Sequence, residues 1–304
     1  MTEIALSSRE STLRGIGWML LTGFLFVCVT AIVRYLGSDM PAIEAAFIRY
    51  AIGLMLVGPV LLRIFRNPPK GETLKLYTAR GLVHGIAVML WFYAMARIPI
   101  AEVTAIGYTA PLFVTIGAAF FLGERLQSRR IMAIIVGLIG TCIILRPGFQ
   151  EIGLGQLAQC VAAPLFATSF ILAKKLTDRD DPAFIVGMLS IGCTITLLPG
   201  ALMQWRTPTF EELFWLSMTA VFATTGHYTL TRAFKAAPIT VTQPVSFLQL
   251  VWAALVGVTM FGEPLDPFVI LGGAVIVLAA TYISHRELVA GRKDVTPPAP
   301  ATKF

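Results

Sequence analysis

Charged side chains are scarce in this chain. Asp, Glu, Lys and Arg make up 13% of its 304 residues, about half the share of a soluble domain. Histidine is rarer still, with three in all, and none of the four cysteines (Cys28, Cys142, Cys160, Cys193) stands in a CxxC spacing. This argues against a disulfide frame and a Cys/His metal centre, so the cysteines read as small packing residues. No carboxylate stands near His84 or His227 at ligand spacing, so no metal is expected. A GxxxxGK[ST] loop is missing as well, which removes ATP hydrolysis as a power source. The apolar runs contain no nucleophile with a base and no paired acids, so neither catalysis nor a cofactor is expected.

What the chain has instead is apolar residues. They make up 56% of the sequence, and the mean hydropathy is +0.77, more than a soluble core of this size can hide. The expected solvent is a lipid bilayer. The net charge of +7 does not imply nucleic acid, because the basic residues form short clusters between apolar runs, with no basic face interleaved with aromatics.

After a polar start, Gly15 opens an apolar run to Leu36 that is longer than a signal-peptide core and lacks a small-residue cleavage site. It is expected to be retained as a first span. Further spans are predicted at 42–64, 76–96, 100–122, 130–146, 153–174, 183–203, 212–233, 240–261 and 267–284, each long enough to cross hydrocarbon. Residues 1–14 are expected to form an N-terminal tail. Residues 286–304, with Thr296-Pro-Pro-Ala-Pro-Ala, read as a disordered C-terminal tail.

Lysine and arginine set the orientation. If the N-terminus is cytoplasmic, that side receives Arg9 and Arg14, the 63–75 group, Arg125, Arg129 and Arg130, Lys174, Lys175 and Arg179, Arg232 and Lys235, and Arg286, Arg292 and Lys293. The other side receives Arg34, Arg97, Arg146 and Arg206. This bias places both termini in the cytoplasm, in a multi-pass protein of the inner (plasma) membrane.

The segment 93–126, YAMARIPIAEVTAIGYTAPLFVTIGAAFFLGERL, aligns without a gap to 232–265, RAFKAAPITVTQPVSFLQLVWAALVGVTMFGEPL. Pro99 meets Pro238, and Gly123-Glu124 meets Gly262-Glu263. The chain is therefore two related halves, 15–147 and 153–285. With five crossings each, the second is inserted upside down relative to the first. The expected architecture is an all-α integral membrane protein of about ten transmembrane helices in an inverted 5+5 repeat, with a site near the middle of the membrane.

These segments, with Pro111, Leu122-Gly-Glu-Arg-Leu126 and Phe261-Gly-Glu-Pro-Leu265, resemble the paired EamA domains of the drug/metabolite transporter superfamily. Phe47-Ile-Arg49 resembles the arginine-bearing helix of that domain. The chain departs from the family at Leu250, preceded by Gln249, where the ninth helix usually has proline. The resemblance implies movement of small organic solutes, with helices 1 to 4 and 6 to 9 lining the cavity and helices 5 and 10 outside it. The start of the chain and its second span are also similar to the S-adenosylmethionine-uptake branch, with riboflavin-type importers close by.

Polar residues inside apolar spans are the candidate site. Arg49 lies too deep for a loop charge and is expensive against lipid. It either holds an anionic solute or gate through Glu44 or Glu102, or pairs with a carboxylate to tie helices. His84 and His227 fall one helical turn apart on related helices, and serve either as proton relays and solute ligands or as neutral packing residues. Trp91, Tyr108, Tyr228 and Trp252 are candidates to stack on a flat solute. Gln243, Ser246 and Gln249 form one polar stripe. Pro111 either kinks a helix into the cavity or packs against a neighbour. Glu124 and Glu263 end helices and position surface ionic contacts, or take part in gating.

The reading is a secondary transporter of a small organic metabolite working by alternating access. Candidate solutes are S-adenosylmethionine-like or riboflavin-like cofactors and amino-acid-type metabolites, coupled to protons or to exchange. The alternative is a multidrug or metabolite exporter of the same superfamily. A non-transporting scaffold or a membrane enzyme is the weaker option, and the residues do not indicate an oligomeric state.

Overall fold

The computed structural model describes residues 2–110, 112–114, 116–117, 128–149, 151–237, 242 and 245–294, with side chains at all of these except 2–10, 128–130 and 283–294. Eleven helices and no strand occur among them: α1 (Thr2–Leu36), α2 (Ala42–Leu56), α3 (Gly58–Arg66), α4 (Gly71–Met95), α5 (Ile100–Gly107), α6 (Ser128–Leu145), α7 (Leu154–Thr177), α8 (Pro182–Met203), α9 (Phe210–Ala236), α10 (Leu248–Phe261) and α11 (Pro267–Asp294). In a bilayer every backbone donor and acceptor must be satisfied within the protein, and helices achieve this segment by segment.

Local chemistry sets the boundaries. Asp181 caps α8 by accepting from the backbone N–H groups of Ala183 and Phe184, each at 3.1 Å. Thr209 and Glu212 form a reciprocal capping box that starts α9 and satisfies N–H groups that have no partner in the first turn. Gly262 ends α10 in the left-handed region, φ 60°, which glycine enters without a Cβ clash.

The single span expected at 42–64 is two helices, α2 and α3, bent by 78°. Pro59 lacks the N–H that would continue α2, and its ring collides with the carbonyl a turn earlier. Helix also runs through residues 2–14, read from the sequence as a polar tail, and over residues 286–294 of the tail read as disordered. Residues 295–304 lie outside the described residues. Residues 11–36 of α1, together with α7 and α8, are each long and apolar enough to cross a membrane, and α2 and α3 reach that length only taken together, as a broken span or a re-entrant loop.

Helix packing repeats when the two halves are exchanged. Matching α1, α2–α3, α4, α5 and α6 to α7, α8, α9, α10 and α11, the contact of α1 with α9 becomes that of α7 with α4. The contact of α4 with α8 likewise becomes that of α9 with α2. Helices α2 and α8, α5 and α10, and α6 and α11 each pack on their own counterpart. A pseudo-twofold relation between the halves gives this pattern.

Small residues permit the closest crossings. Helix α4 carries Gly81-Leu-Val-His-Gly85, and α8 meets it with Gly192 and Thr196, a small-xxx-small contact of the kind that holds helices together in lipid. Helices α6 and α11 meet at Gly140 and Gly272, where a Cβ on Gly272 would come within 2.5 Å of the Gly140 carbonyl oxygen. Away from these seams the helices show apolar side chains outward, among them Met132 and Ile139 on α6 and Leu271 and Leu278 on α11, as lipid contact requires.

One end of the bundle gathers the connections after α1, α4, α6, α8 and α10. Arg34 bonds Glu263 at 2.9 Å, and Glu263 also accepts from the N–H of Ile100 at 2.9 Å. Arg146 pairs with Asp266 and Arg206 with Glu212, while the Arg97 guanidinium lies over the Tyr93 ring at 3.7 Å. All four arginines of this end therefore have a local partner. The opposite end joins Tyr77 to Asp180, Arg63 to Asp181, and Arg179 to Glu72 and Thr73.

Candidate functional site

Between the halves lies a cavity of about 170 Å³. Its wall comes from α1, α4 and α5 of the first half and from α7, α9 and α10 of the second, with Ala110 and Ser246 at the edges of α5 and α10. These are repeat-related sets. Among the described residues α6 and α11 contribute none of the wall, and neither do α2 and α8, which the family resemblance also assigned to the lining.

His84, Trp91, Tyr108, His227, Ser246 and Gln249, all singled out from the sequence, border this one cavity. The two imidazoles touch edge to face, with centroids 5.1 Å apart. Nδ1 of His84 lies 2.8 Å from the hydroxyl of Ser169 on α7, which fixes the ring, while its Nε2 has no partner among the described residues. Tyr108 donates to the carbonyl of Ser246 at 2.8 Å and meets Phe247 edge to face at 4.9 Å. Tyr108 and Phe247 are equivalent positions of the repeat, so this contact lies where the halves cross.

Sequence reasoning passed over several wall residues. Phe26 stands 6.3 Å from Trp91 and 5.2 Å from His227, and Phe166 stands 5.9 Å from Trp91 and 5.2 Å from His84. With Phe170 stacked on Phe166, these rings make a continuous aromatic wall. A phenylalanine in an apolar run gives no signal of its own. Gln159 on α7 did carry one, as an amide well inside a span, one turn after Gln156. It is buried, borders the cavity, and its Oε1 has no partner among the described residues.

Other candidates lie elsewhere. Trp252 is 48% exposed on the outside of α10. Tyr228 accepts from Arg232 at 3.0 Å and is not in the cavity wall. Glu44 is fully buried and accepts from the N–H of Arg206 at 3.1 Å, and Glu102 accepts from Gln156 at 3.2 Å. Glu263 binds Arg34 and Ile100 as described. Arg49 pairs with none of these acids; it is buried behind the cavity with its guanidinium over Tyr50, 3.9 Å from the ring centroid. Pro111, Glu124 and Gln243 lie outside the described residues.

Among the described residues no group of three or more His, Cys, Asp or Glu is arranged to hold a metal. Ring faces, an imidazole pair, an amide and hydroxyls can stack on a flat molecule and bond to its edge. Ser169→Ala is expected to cost about 1–3 kcal/mol, the penalty for leaving a buried imidazole nitrogen unpaired, and a lower unfolding midpoint in detergent checks it.

The EamA-like transporter family model matches residues 13–146 and again 153–285, meeting the two halves seen in the packing. The chain belongs to this family. It is 29% identical to a riboflavin transporter of Vibrio cholerae, over 95% of this chain and 99% of the relative. It is 28% identical to an S-adenosylmethionine uptake transporter of Rickettsia bellii, over 92% and 97%. A crystal structure of another protein superposes with a TM-score of 0.56 at 18% identity, covering 92% of this chain and 99% of that one. That likeness concerns the fold alone.

Proposed function

We propose that this EamA-family protein is a secondary transporter carrying a small organic solute with a flat ring system, by alternating access around the cavity between its halves. The observation that carries the reading is the aromatic wall of Phe26, Trp91 and Phe166 closed by the His84–His227 pair. Riboflavin and S-adenosylmethionine, named for two relatives, both have such a ring, and amino-acid-type metabolites are the smaller candidates. At about 170 Å³ the cavity falls below the roughly 300–1,000 Å³ of open ligand pockets, as expected for a partly closed state that widens when the halves rock. Movement is driven by protons or by exchange, with both termini in the cytoplasm and the chain in the inner membrane.

Purified protein in liposomes is expected to take up labelled riboflavin or S-adenosylmethionine, and Trp91→Ala is expected to reduce that uptake about tenfold, the effect of losing one stacking partner worth roughly 1.4 kcal/mol. Unchanged uptake in Trp91→Ala sinks the assignment of the cavity. Absence of flux for every flavin, adenosyl and amino-acid solute tried sinks the transport reading.

A further inference from the structure

Facing stretches of α2 and α4 hold three buried polar atoms with no hydrogen-bond partner among the described residues, Nη1 of Arg49, Nε of Arg80 and Nε2 of His84, beside the Tyr50 hydroxyl, which lies against Arg49 and Cys193. Arg49 is 2% exposed and Arg80 3%. Neither forms an ion pair among the described residues. Arg80 reaches only the carbonyl of Ile185, at 3.4 Å, and Arg49 has the Tyr50 ring.

Two uncompensated cations at this depth are an expensive arrangement, and each raises the cost of the other. Of the buried carboxylates at the other end of the bundle, Glu102 and Glu263 are engaged with Gln156 and the Arg34–Ile100 pair, while Glu44 accepts from the N–H of Arg206 and keeps Oε1 without a partner among the described residues. Asp180 is engaged by the Tyr77 hydroxyl, and no described carboxylate forms an ion pair with Arg49 or Arg80.

The unsatisfied group adjoins the cavity. Arg80 is one turn before His84 on α4, the Tyr50 ring meets the His84 ring edge to face at 6.5 Å, and His84 itself forms part of the wall. Arg49, with its guanidinium 3.9 Å from the Tyr50 ring centroid, is joined to the cavity through the same ring. Arginine only donates, in a planar fork that matches carboxylate and phosphate oxygens.

We infer that the transported solute carries an anionic group, a carboxylate or phosphate, which passes the His84–His227 pair and is held by Arg49 and Arg80 while its flat part stays against Trp91 and Phe166. The inference rests on the transporter reading, adds the charge of its substrate, and of the two solutes named for the relatives favours S-adenosylmethionine, which has a carboxylate, over riboflavin, which has neither carboxylate nor phosphate. Tyr50 and His84 supply further donors to the same oxygens.

Thermal melting of the purified protein at constant ionic strength, with phenyl phosphate, benzoate, benzyl alcohol or inorganic phosphate as probes, tests it. The two aromatic anions are expected to stabilise the protein and uncharged benzyl alcohol to do so far less. Apparent affinity for the anions is expected to fall about ten- to a hundredfold in Arg49→Gln and in Arg80→Gln, the loss of a charge-assisted hydrogen bond, with partial recovery in Arg49→Lys and Arg80→Lys. Stabilisation by inorganic phosphate that vanishes in the Gln variants supports the site as an anion site independent of the aromatic body.

Should a Gln variant fail to fold, the Lys variant carries the comparison, with an expected intermediate loss. Equal stabilisation by benzyl alcohol, no shift with any anion, or anion binding that survives in the variants overturns the inference. Flux of a neutral solute without anion selectivity sinks this inference and leaves transport standing, whereas anion-selective melting without flux does the reverse.

Discussion

Gly81→Ala is expected to lower stability by about 3 kcal/mol, although an alanine in a helix interior normally gains up to about 1 kcal/mol over glycine. A Cβ at this position would sit 2.6 Å from the Cα of Gly192 and 3.0 Å from its carbonyl carbon. Those atoms are backbone, so no rotamer change relieves the contact, and α4 must move away from α8. Overpacking a tight core costs roughly 1–3 kcal/mol, and the upper end applies because the displaced crossing also carries Gly85 against Thr196. Function is expected to fall with stability, since His84 lies between the two glycines and is positioned by this approach. Gly17→Ala is the control: a Cβ there meets nothing within 4 Å, and a small gain is expected. Melting of the two variants in the same detergent checks the contrast; equal effects would mean that the α4–α8 crossing is not close-packed.

That contrast also shows how far the sequence could be read. The repeat was legible because Pro99, Ile100 and Gly123-Glu124 return at a fixed offset, and an odd number of crossings per half dictates inversion. The membrane was legible from composition. Which polar residues meet was only partly so: His84 and His227 fall one turn apart under the repeat, and the structure brings their rings to 5.1 Å. The Gly81-Leu-Val-His-Gly85 spacing was a readable sign of a close crossing and was passed over. Trp252 has the same local sequence logic as Trp91 but faces outward, because the rotation of a helix depends on neighbours that periodicity does not specify. The break between α2 and α3 illustrates the same limit. Gly58-Pro59 permits either a kink or a clean turn, and only packing against α8 decides between them. For Arg49 the sequence leaves an anionic solute or gate and a paired carboxylate both open, and the structure sets the Tyr50 ring against its guanidinium with no carboxylate paired to it among the described residues.

Glu263→Ala is expected to cost about 2–3 kcal/mol and to change transport as well as stability. One carboxylate oxygen bonds Nε of Arg34 at 2.9 Å and the other takes the N–H of Ile100 at 2.9 Å, so the end of α1, the start of α5 and the end of α10 meet on a single side chain. The Ile100 N–H belongs to a first helical turn, where it has no partner within the helix. Breaking a buried ion pair typically costs roughly 3–5 kcal/mol. The lower figure applies here because the Arg34 side chain is 23% exposed and water screens part of the loss. Removing both charges, in Arg34→Met with Glu263→Met, is expected to be less damaging than Glu263→Ala alone, since no uncompensated cation remains. Because this contact joins the two halves at one end of the cavity, its loss is expected to favour the state open at that end, seen as faster labelling of a cysteine introduced at Leu36, half-buried at the end of α1. A double variant as unstable as the sum of its parts would show that Arg34 and Glu263 act independently; unchanged labelling would confine the contact to stability.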